Sequence, residues 1–240
     1  MTGSPRETLD RKTQQLLDDV LVLGSMVDQA ILKSVEALKR QDLNLAQLIY
    51  DADTRINTKR FDIETEAMVL IATQQPMARD LRILASTLEV ASELERIGDY
   101  AKGIANICLM MGKEAPIKPL VDIPYMAKIT TEMLRKALSA FVAADASAAR
   151  EIPKDDDLID GLYNQVFREL ITYMIADPAT IDRANYLMWA AHNLERAADR
   201  VINICERTIY VATGQMKEIK VTDDEDMKVD WIQPPEKHEP

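Results

Sequence analysis

The stretch 49–70 reads IYDADTRINTKRFDIETEAMVL, and the stretch 152–173 reads IPKDDDLIDGLYNQVFRELITY. Apolar residues stand seven apart in both, namely Ile49, Ile56, Ile63 and Leu70, then Ile152, Ile159, Val166 and Tyr173. This spacing is typical of a helix whose seam faces partner helices. The second set follows the first by 103 positions, and so does a candidate helix cap, with Asp145 matching Asp42. The sequence therefore predicts one helical unit that occurs twice.

Helices on either side of this seam complete each unit. Apolar residues from Leu16 to Leu38 step by three and four, which predicts a first helix. Pro76 marks the end of the second helix, because the residue before a proline is pushed out of the α region. A third helix is expected from about Pro76 to Met111. It recurs 100 positions later as the last helix of the second unit.

Pro153 lies inside the fifth helix as the repeat places it. A proline in a helix interior removes a hydrogen bond and clashes with the preceding turn. We therefore expect a kink at this point, or a helix that begins near Pro153 after a separate turn at residues 145–151.

The expected fold is all-α, a tandem pair of up-down three-helix bundles with six helices. The two bundles are expected to lie side by side or end to end. The expected boundaries are 1–112 for the first unit, 113–124 for a proline-rich linker, 125–216 for the second unit and 217–240 for an acidic, mobile tail.

Composition excludes several classes of protein. Seven glycines and 5% aromatic residues in 240 argue against an all-β fold. A formal charge of −11 argues against nucleic acid as a partner, because nucleic acids are bound by clustered Lys and Arg. No apolar run is long enough to span a membrane, and the polar N-terminus shows no secretory signal. Cys108 and Cys205 lie in apolar helical runs, which indicates buried thiols in a cytoplasmic protein.

Carboxylates recur at matching positions of the two units. Glu95 and Asp99 stand four residues apart on one helical face, and the second unit repeats the pair as Glu195 and Asp199. Like charges at this spacing repel each other, so a compensating cation is expected. Asp53 occupies a seam position that would ordinarily be apolar, and its counterpart in the second unit is Asp156. Each unit therefore has acidic residues on both its middle and its last helix.

Packing of the middle helix on the last helix would gather these oxygen atoms, and clustered oxygen ligands suit magnesium, calcium, manganese or iron. The candidate ligands are Glu95, Asp99, Glu195, Asp199, Asp53, Asp156, Asp160 and Asn203. The second unit offers more of them, since Asn57 and Gly103 stand where it has Asp160 and Asn203. The alternative is that the acidic stripes are solvated faces neutralised by neighbouring arginines.

Four strings resemble the PhoU family. ELERIGD at 93–99 and NLERAADRVINICER at 193–207 resemble its repeated signature, and PMARDLR at 76–82 and IYVATG at 209–214 resemble further family segments. The resemblance covers roughly residues 8–214. The chain departs from the family pattern at Gly103, where an asparagine is usual, and at Ala197–Ala198, where Ile-Gly is usual.

The resemblance implies a regulator and not an enzyme. Members of the family are phosphate-specific transport system accessory proteins and negative regulators of the phosphate regulon. They bridge the phosphate ABC transporter, through its ATPase, and a membrane-bound sensor histidine kinase, so membrane association is expected only through these partners. The resemblance also implies a homodimer, and iron or zinc at the Glu-x-x-x-Asp stripes. The competing hypotheses are a metal-free structural adaptor and a metal-dependent enzyme, and the lack of His ligands disfavours the enzyme.

Overall fold

The computed structural model describes residues 5–219. Within this range the chain forms long α-helices and no strand, which confirms the all-α prediction. The helices are α1 (Pro5–Arg40), α2 (Leu43–Gln74), α3 (Arg79–Met111), α4 (Asp122–Ala143), α5 (Ala146–Glu151), α6 (Asp156–Ala176) and α7 (Ile181–Thr213). Short 3₁₀ turns at Ile152–Asp155 and Pro178–Thr180 precede α6 and α7. None of the helices in the described range is long and apolar enough to cross a membrane.

Two aspartates at matching positions cap the helix that follows the first long helix of each unit, namely α2 and α5. Asp42 accepts a hydrogen bond from the backbone N–H of Leu45 at 3.0 Å. Asp145 accepts from the N–H groups of Ser147 and Ala148 at 2.9 and 3.0 Å. Such caps satisfy N–H groups that have no partner inside the helix. Both caps predicted from the repeat are therefore confirmed.

The middle helix of the second unit is broken, as Pro153 predicts. Glu151 ends α5, a 3₁₀ turn contains Pro153, and α6 begins at Asp156. The break follows from the missing N–H of proline and the clash of its ring with the preceding turn. One of the six predicted helices is thus replaced by two helices, α5 and α6, and the 3₁₀ turn that joins them.

The predicted seam is correct at seven positions and wrong at Tyr173. Ile152, Ile159 and Val166 are buried, but Tyr173 is 36% exposed. Leu170, one turn earlier, is fully buried instead. Its counterpart in the first unit is the small Ala67, so in the second unit a larger side chain is buried at this position while Tyr173 lies at the surface.

Four long helices form the centre of the molecule. Both α1 and α7 pack against α3 and α4, which closes a four-helix ring. On the outside of this ring, α2 packs against α1 and α3, and α6 packs against α4 and α7. The two units therefore lie side by side, with shared α3–α7 and α1–α4 interfaces.

The last helices of the two units run antiparallel along the α3–α7 interface. Arg207 of α7 lies 2.5 Å from Glu89 of α3, and farther along α3 the side chain of Asn193 faces Gly103. A side chain at position 103 would begin about 3.3 Å from the amide of Asn193. Glycine is therefore explained at this position by the asparagine that fills the space from the other unit.

A buried lysine fixes the linker to the second unit. The side chain of Lys118 is 6% exposed, forms an ion pair with Glu169 of α6, and lies 3.2 Å from Asp122 at the start of α4. The helix α4 begins before Pro124, which lies in its first turn, where a missing N–H costs no helical hydrogen bond.

The predicted acidic tail at 217–240 lies outside the described residues from position 220 onward. Ile219 is described and packs against the core, and its backbone N–H donates to Glu206 Oε1 at 2.8 Å. The chain beyond Gly214 therefore folds back along α7 up to the last described residue.

Replacing Lys118 by methionine is expected to destabilise the protein by about 1–3 kcal/mol, because it leaves Asp122 and Glu169 without their cation. Urea unfolding followed by circular dichroism measures the effect. The control is Lys128→Ala, which removes an exposed pair with Glu132 at 3.8 Å and should cost less than about 0.5 kcal/mol. Equal stability of Lys118→Met and the unsubstituted protein would contradict the role of Lys118.

Candidate metal sites

The first acidic cluster lies where α2 packs against α3. Asp53 is 4% exposed in the seam of α2, and Glu95 and Asp99 approach it from α3. Burial raises the pKa of Glu95, and the negative charges of Asp99 and Asp53 add to the rise. Burial and the charge of Asp53 likewise raise the pKa of Asp99. The structure thus brings these three predicted residues within electrostatic reach of one another.

Two cations neutralise much of this first cluster. Lys102 Nζ donates to Asp53 Oδ2 at 2.7 Å, and Asn57 donates to the same oxygen at 3.0 Å. The positive charge of Arg60 opposes the pKa rise of both Glu95 and Asp99. The cation expected from the repulsion of like charges is therefore supplied here by the protein itself.

The second acidic cluster lies at the matching place between α6 and α7. Asp156 is 3% exposed, and Glu195, Asp199 and Asp160 lie within electrostatic reach of it. Burial raises the pKa of Asp156 to about 7, and the charges of Asp160, Asp199 and Glu195 contribute to this rise. Burial also raises the pKa of Glu195 and of Asp199. All four acidic residues predicted for this unit are thus close together.

The second cluster lacks the cations of the first. Ile202 stands at the repeat position of Lys102, and Tyr163 stands at that of Arg60. The guanidinium of Arg196 stacks over the ring of Tyr100 at 4.8 Å, and Arg200 lies 3.7 Å from Glu93, so both also engage α3. Arg196 and Arg200 oppose the pKa rise of Asp199, whereas the charges that act on Asp156 are all negative, so Asp156 is less compensated than Asp53 in the first cluster.

Histidine and asparagine side chains complete the surroundings of the second cluster. His192 Nδ1 lies 3.1 Å from Glu195 Oε2. Asn203, a predicted ligand, donates its amide to Glu93 Oε2 at 3.1 Å across the α3–α7 interface. The contact that the structure gives Asn203 therefore joins the two units.

The second cluster has the oxygen donors that a hard metal ion requires, but the described side chains are not arranged around one point. Asp156 Oδ1 is buried, and no described residue donates a hydrogen bond to it. Carboxylate oxygens are the ligands that magnesium, manganese and iron accept. Among the described residues, no three Asp, Glu, His or Cys side chains are arranged around a common point as metal ligands. Binding of an ion would therefore require side chains of this cluster to rotate.

It was not predicted from the sequence that Lys102 and Arg60 compensate the charge of the first cluster. Comparison of the two repeated units could have indicated it. Aligning the two units places Lys102 opposite Ile202 and Arg60 opposite Tyr163. The two units thus differ in charge at two positions beside their matching acidic clusters. This difference indicates that the two clusters have different functions.

The fold and the two clusters define a class of protein, the tandem three-helix bundle with a buried carboxylate group in each half. The family model of the PhoU domain matches residues 20–108 and 123–208. The chain belongs to the PhoU family. Both the predicted family and the predicted repeat are thereby confirmed.

Relatives match over most of the chain. The phosphate-specific transport system accessory protein PhoU homolog of Aquifex aeolicus is 36% identical over 208 residues, covering 87% of this chain and 94% of the relative. The homolog of Clostridium acetobutylicum is 33% identical over 215 residues, covering 89% and 98%.

Solved structures agree with this assignment. The crystal structure of the phosphate transport system regulatory protein PhoU from Streptococcus pneumoniae superimposes with a TM-score of 0.81 at 32% identity, covering 87% of this chain and 99% of that one. PhoU from Pseudomonas aeruginosa gives a TM-score of 0.81 at 32% identity, covering 86% and 99%.

Asp156→Asn is expected to stabilise the metal-free protein at pH 8 by about 1–3 kcal/mol, because a buried charge disappears while the shape is kept. The pKa of Asp156 in the folded protein, about 7, lies above its ordinary value. The penalty is therefore full above pH 7 and is relieved as the pH falls toward 4. The stability difference should shrink at pH 5, as measured by urea unfolding in EDTA.

The matched control is Asp53→Asn in the first cluster. It leaves Lys102 without its carboxylate partner and is expected to lower stability at both pH values. If the two substitutions shift stability in the same direction, the contrast between the clusters is wrong.

Proposed function

We propose that this protein is a cytoplasmic negative regulator of the phosphate-starvation response and of phosphate uptake. The observation that carries this proposal is the similarity to the accessory protein homolog of Aquifex aeolicus, which extends through both units at 36% identity. Agreement along both units supports a shared function more strongly than a shared fold does.

The regulator would act by bridging the ATPase of the phosphate ABC transporter and a sensor histidine kinase. It can shift the kinase only if it binds one kinase state more tightly than the other. A coupling free energy of about 1–3 kcal/mol between the two binding events is enough for such control. The proposed assembly is a homodimer that reaches the membrane only through these partners.

Exposed apolar side chains on the outer helices support binding to protein partners. On α2 these are Leu48, Phe61 and Met68, and on α6 they are Phe167 and Ile175. Exposed apolar groups on an outer face are typical of protein contact surfaces when they cluster. Because α2 and α6 lie on opposite sides of the central ring, the molecule has two separate outer faces on which protein partners could bind.

We further propose that the second acidic cluster holds one metal ion through Asp156, Asp160, Glu195 and Asp199. Its excess negative charge and the unpaired oxygen of Asp156 support this assignment. The bound ion would cross-link α6 and α7, and magnesium, manganese, iron and zinc are the candidates. The first cluster is proposed to bind no ion, because Lys102 forms an ion pair with Asp53 Oδ2 and the charge of Arg60 acts on Glu95 and Asp99.

A metal-free helical adaptor is the second candidate function. It is favoured by the observation that no three Asp, Glu, His or Cys side chains in residues 5–219 are arranged as ligands of one ion. Partner binding alone would then carry regulation. A metal-dependent enzyme is not proposed, because no observation on the described residues supports catalysis.

Deleting the gene is expected to raise expression from phosphate-starvation promoters in phosphate-rich medium, because the kinase loses its inhibitor. A reporter fusion measures this, and re-expression of the intact gene is the control. Pull-down of the purified protein with the transporter ATPase and with the cytoplasmic domain of the kinase tests both contacts. Unchanged reporter activity would count against the regulatory role.

Calorimetric titration of chelator-stripped protein with magnesium, manganese, zinc and iron is expected to show one ion per chain. Asp156→Asn should weaken binding by at least about tenfold, which corresponds to about 1.4 kcal/mol, because it removes a charged ligand. Asp53→Asn, the matched substitution in the first unit, should leave the affinity unchanged. Absence of binding for all four metals would favour the metal-free adaptor.

A further inference from the structure

The first unit contains a cavity of about 420 Å³ between α1, α2 and α3. Its walls are largely apolar, with Met26, Leu45, Ile49 and Ile56 among the lining residues, and Gly98 lines it on the α3 side. Sites for small organic ligands are concave, mostly apolar and of about 300–1,000 Å³, with a few polar groups that orient the ligand. The cavity has the size and the walls of such a site.

Three cations line this cavity, namely Lys33, Arg55 and Lys102. Lys33 Nζ donates to Gln29 at 3.3 Å, and no carboxylate of residues 5–219 lies within 4.0 Å of the Lys33 or Arg55 head group. Lys102 lies 2.7 Å from Asp53 and 5.2 Å from the ring centre of Tyr50. Lys33 and Arg55 are both exposed, and two cations without a carboxylate partner beside one apolar cavity favour an anionic ligand.

The same cavity contains a buried acceptor that lacks a donor. Asp53 lines it, is 4% exposed, and has one oxygen, Oδ1, to which no described residue donates a hydrogen bond. A buried acceptor without a donor is costly, so such an atom is typically satisfied by a ligand or by water. The ligand that completes this site therefore has an anionic group and also a hydroxyl or amino donor.

We propose that this cavity binds a nucleoside monophosphate. Arginine and lysine are the residues that bind phosphate groups, so the phosphate would contact Arg55 and Lys33. The apolar walls would hold the base, and a ribose hydroxyl or a base amino group would donate to Asp53 Oδ1, which is buried and would have to turn toward the cavity. Inorganic phosphate alone would leave the apolar walls unfilled.

The second unit does not repeat this site. Leu158 stands at the position of Arg55, and Ile202 stands at the position of Lys102. The counterpart of Lys33 is Lys136, which is paired with Asp155 at 2.7 Å. The cationic cavity is therefore a property of the first unit alone, separate from the acidic cluster of the second.

Calorimetric titration of the full chain in EDTA, with AMP, GMP, CMP and UMP as probes, tests the proposal. At least one nucleotide is expected to bind with one site per chain. The matching nucleoside, which lacks the phosphate, should bind at least about tenfold more weakly. Inorganic phosphate, which lacks the base and the ribose, should also bind at least about tenfold more weakly. Failure of all four nucleotides to bind, or equal binding of inorganic phosphate, would overturn the proposal.

Substitutions locate the site. Arg55→Ala and Lys33→Ala should each weaken nucleotide binding by at least about fivefold, because each removes a charge-assisted contact. Lys39→Ala, which removes an exposed cation of α1 outside the cavity, should leave it unchanged. Asp53→Asn should weaken the nucleotide without weakening inorganic phosphate. Binding that is insensitive to both Arg55→Ala and Lys33→Ala would exclude this cavity.

Discussion

Close packing of the middle helix on the last helix of each unit is the constraint on which the rest of the structure depends. At the contact, α3 has Gly98 and α7 has the small Ala198, both buried. A Cβ at position 98 would lie 3.2 Å from two atoms of Ile56, so α2 has little room to spare. This close approach carries the buried aspartate of the middle helix against the two carboxylates of the last helix. A larger residue would separate the helices and disperse the carboxylates.

The repeated backbone resolves the burial of negative charge in two different ways. A buried carboxylate is costly unless a cation, hydrogen bonds or protonation compensate for it. In the first unit Lys102 and Arg60 provide the compensation. In the second unit Ile202 and Tyr163 take those positions, and the pKa of Asp156 rises to about 7. The same fold therefore holds a neutralised acidic cluster beside a cationic cavity in the first unit. In the second unit it holds a strongly acidic cluster.

The sequence predicts those features of the fold that local chemistry and periodicity determine. The aspartate caps at 42 and 145, the break at Pro153 and most of the heptad seam are of this kind. The exposure of Tyr173 could not be predicted in this way, because it depends on how Leu170 fills a core shared with other helices. The gathering of acids was predictable from matched spacing, whereas the pairing of Asn203 with Glu93 depends on the register between two units.

The α3–α7 interface makes the two clusters parts of one electrostatic system. Arg200 belongs to the helix of the second cluster, interacts with the charge of Asp199, and lies 3.7 Å from Glu93 of the first unit. Arg196 likewise opposes the pKa rise of Glu195 while it stacks on Tyr100 of α3. Groups that share charged neighbours do not contribute independently to stability. A change of charge in the second cluster therefore alters the electrostatic interactions of both arginines, which also contact α3 of the first unit.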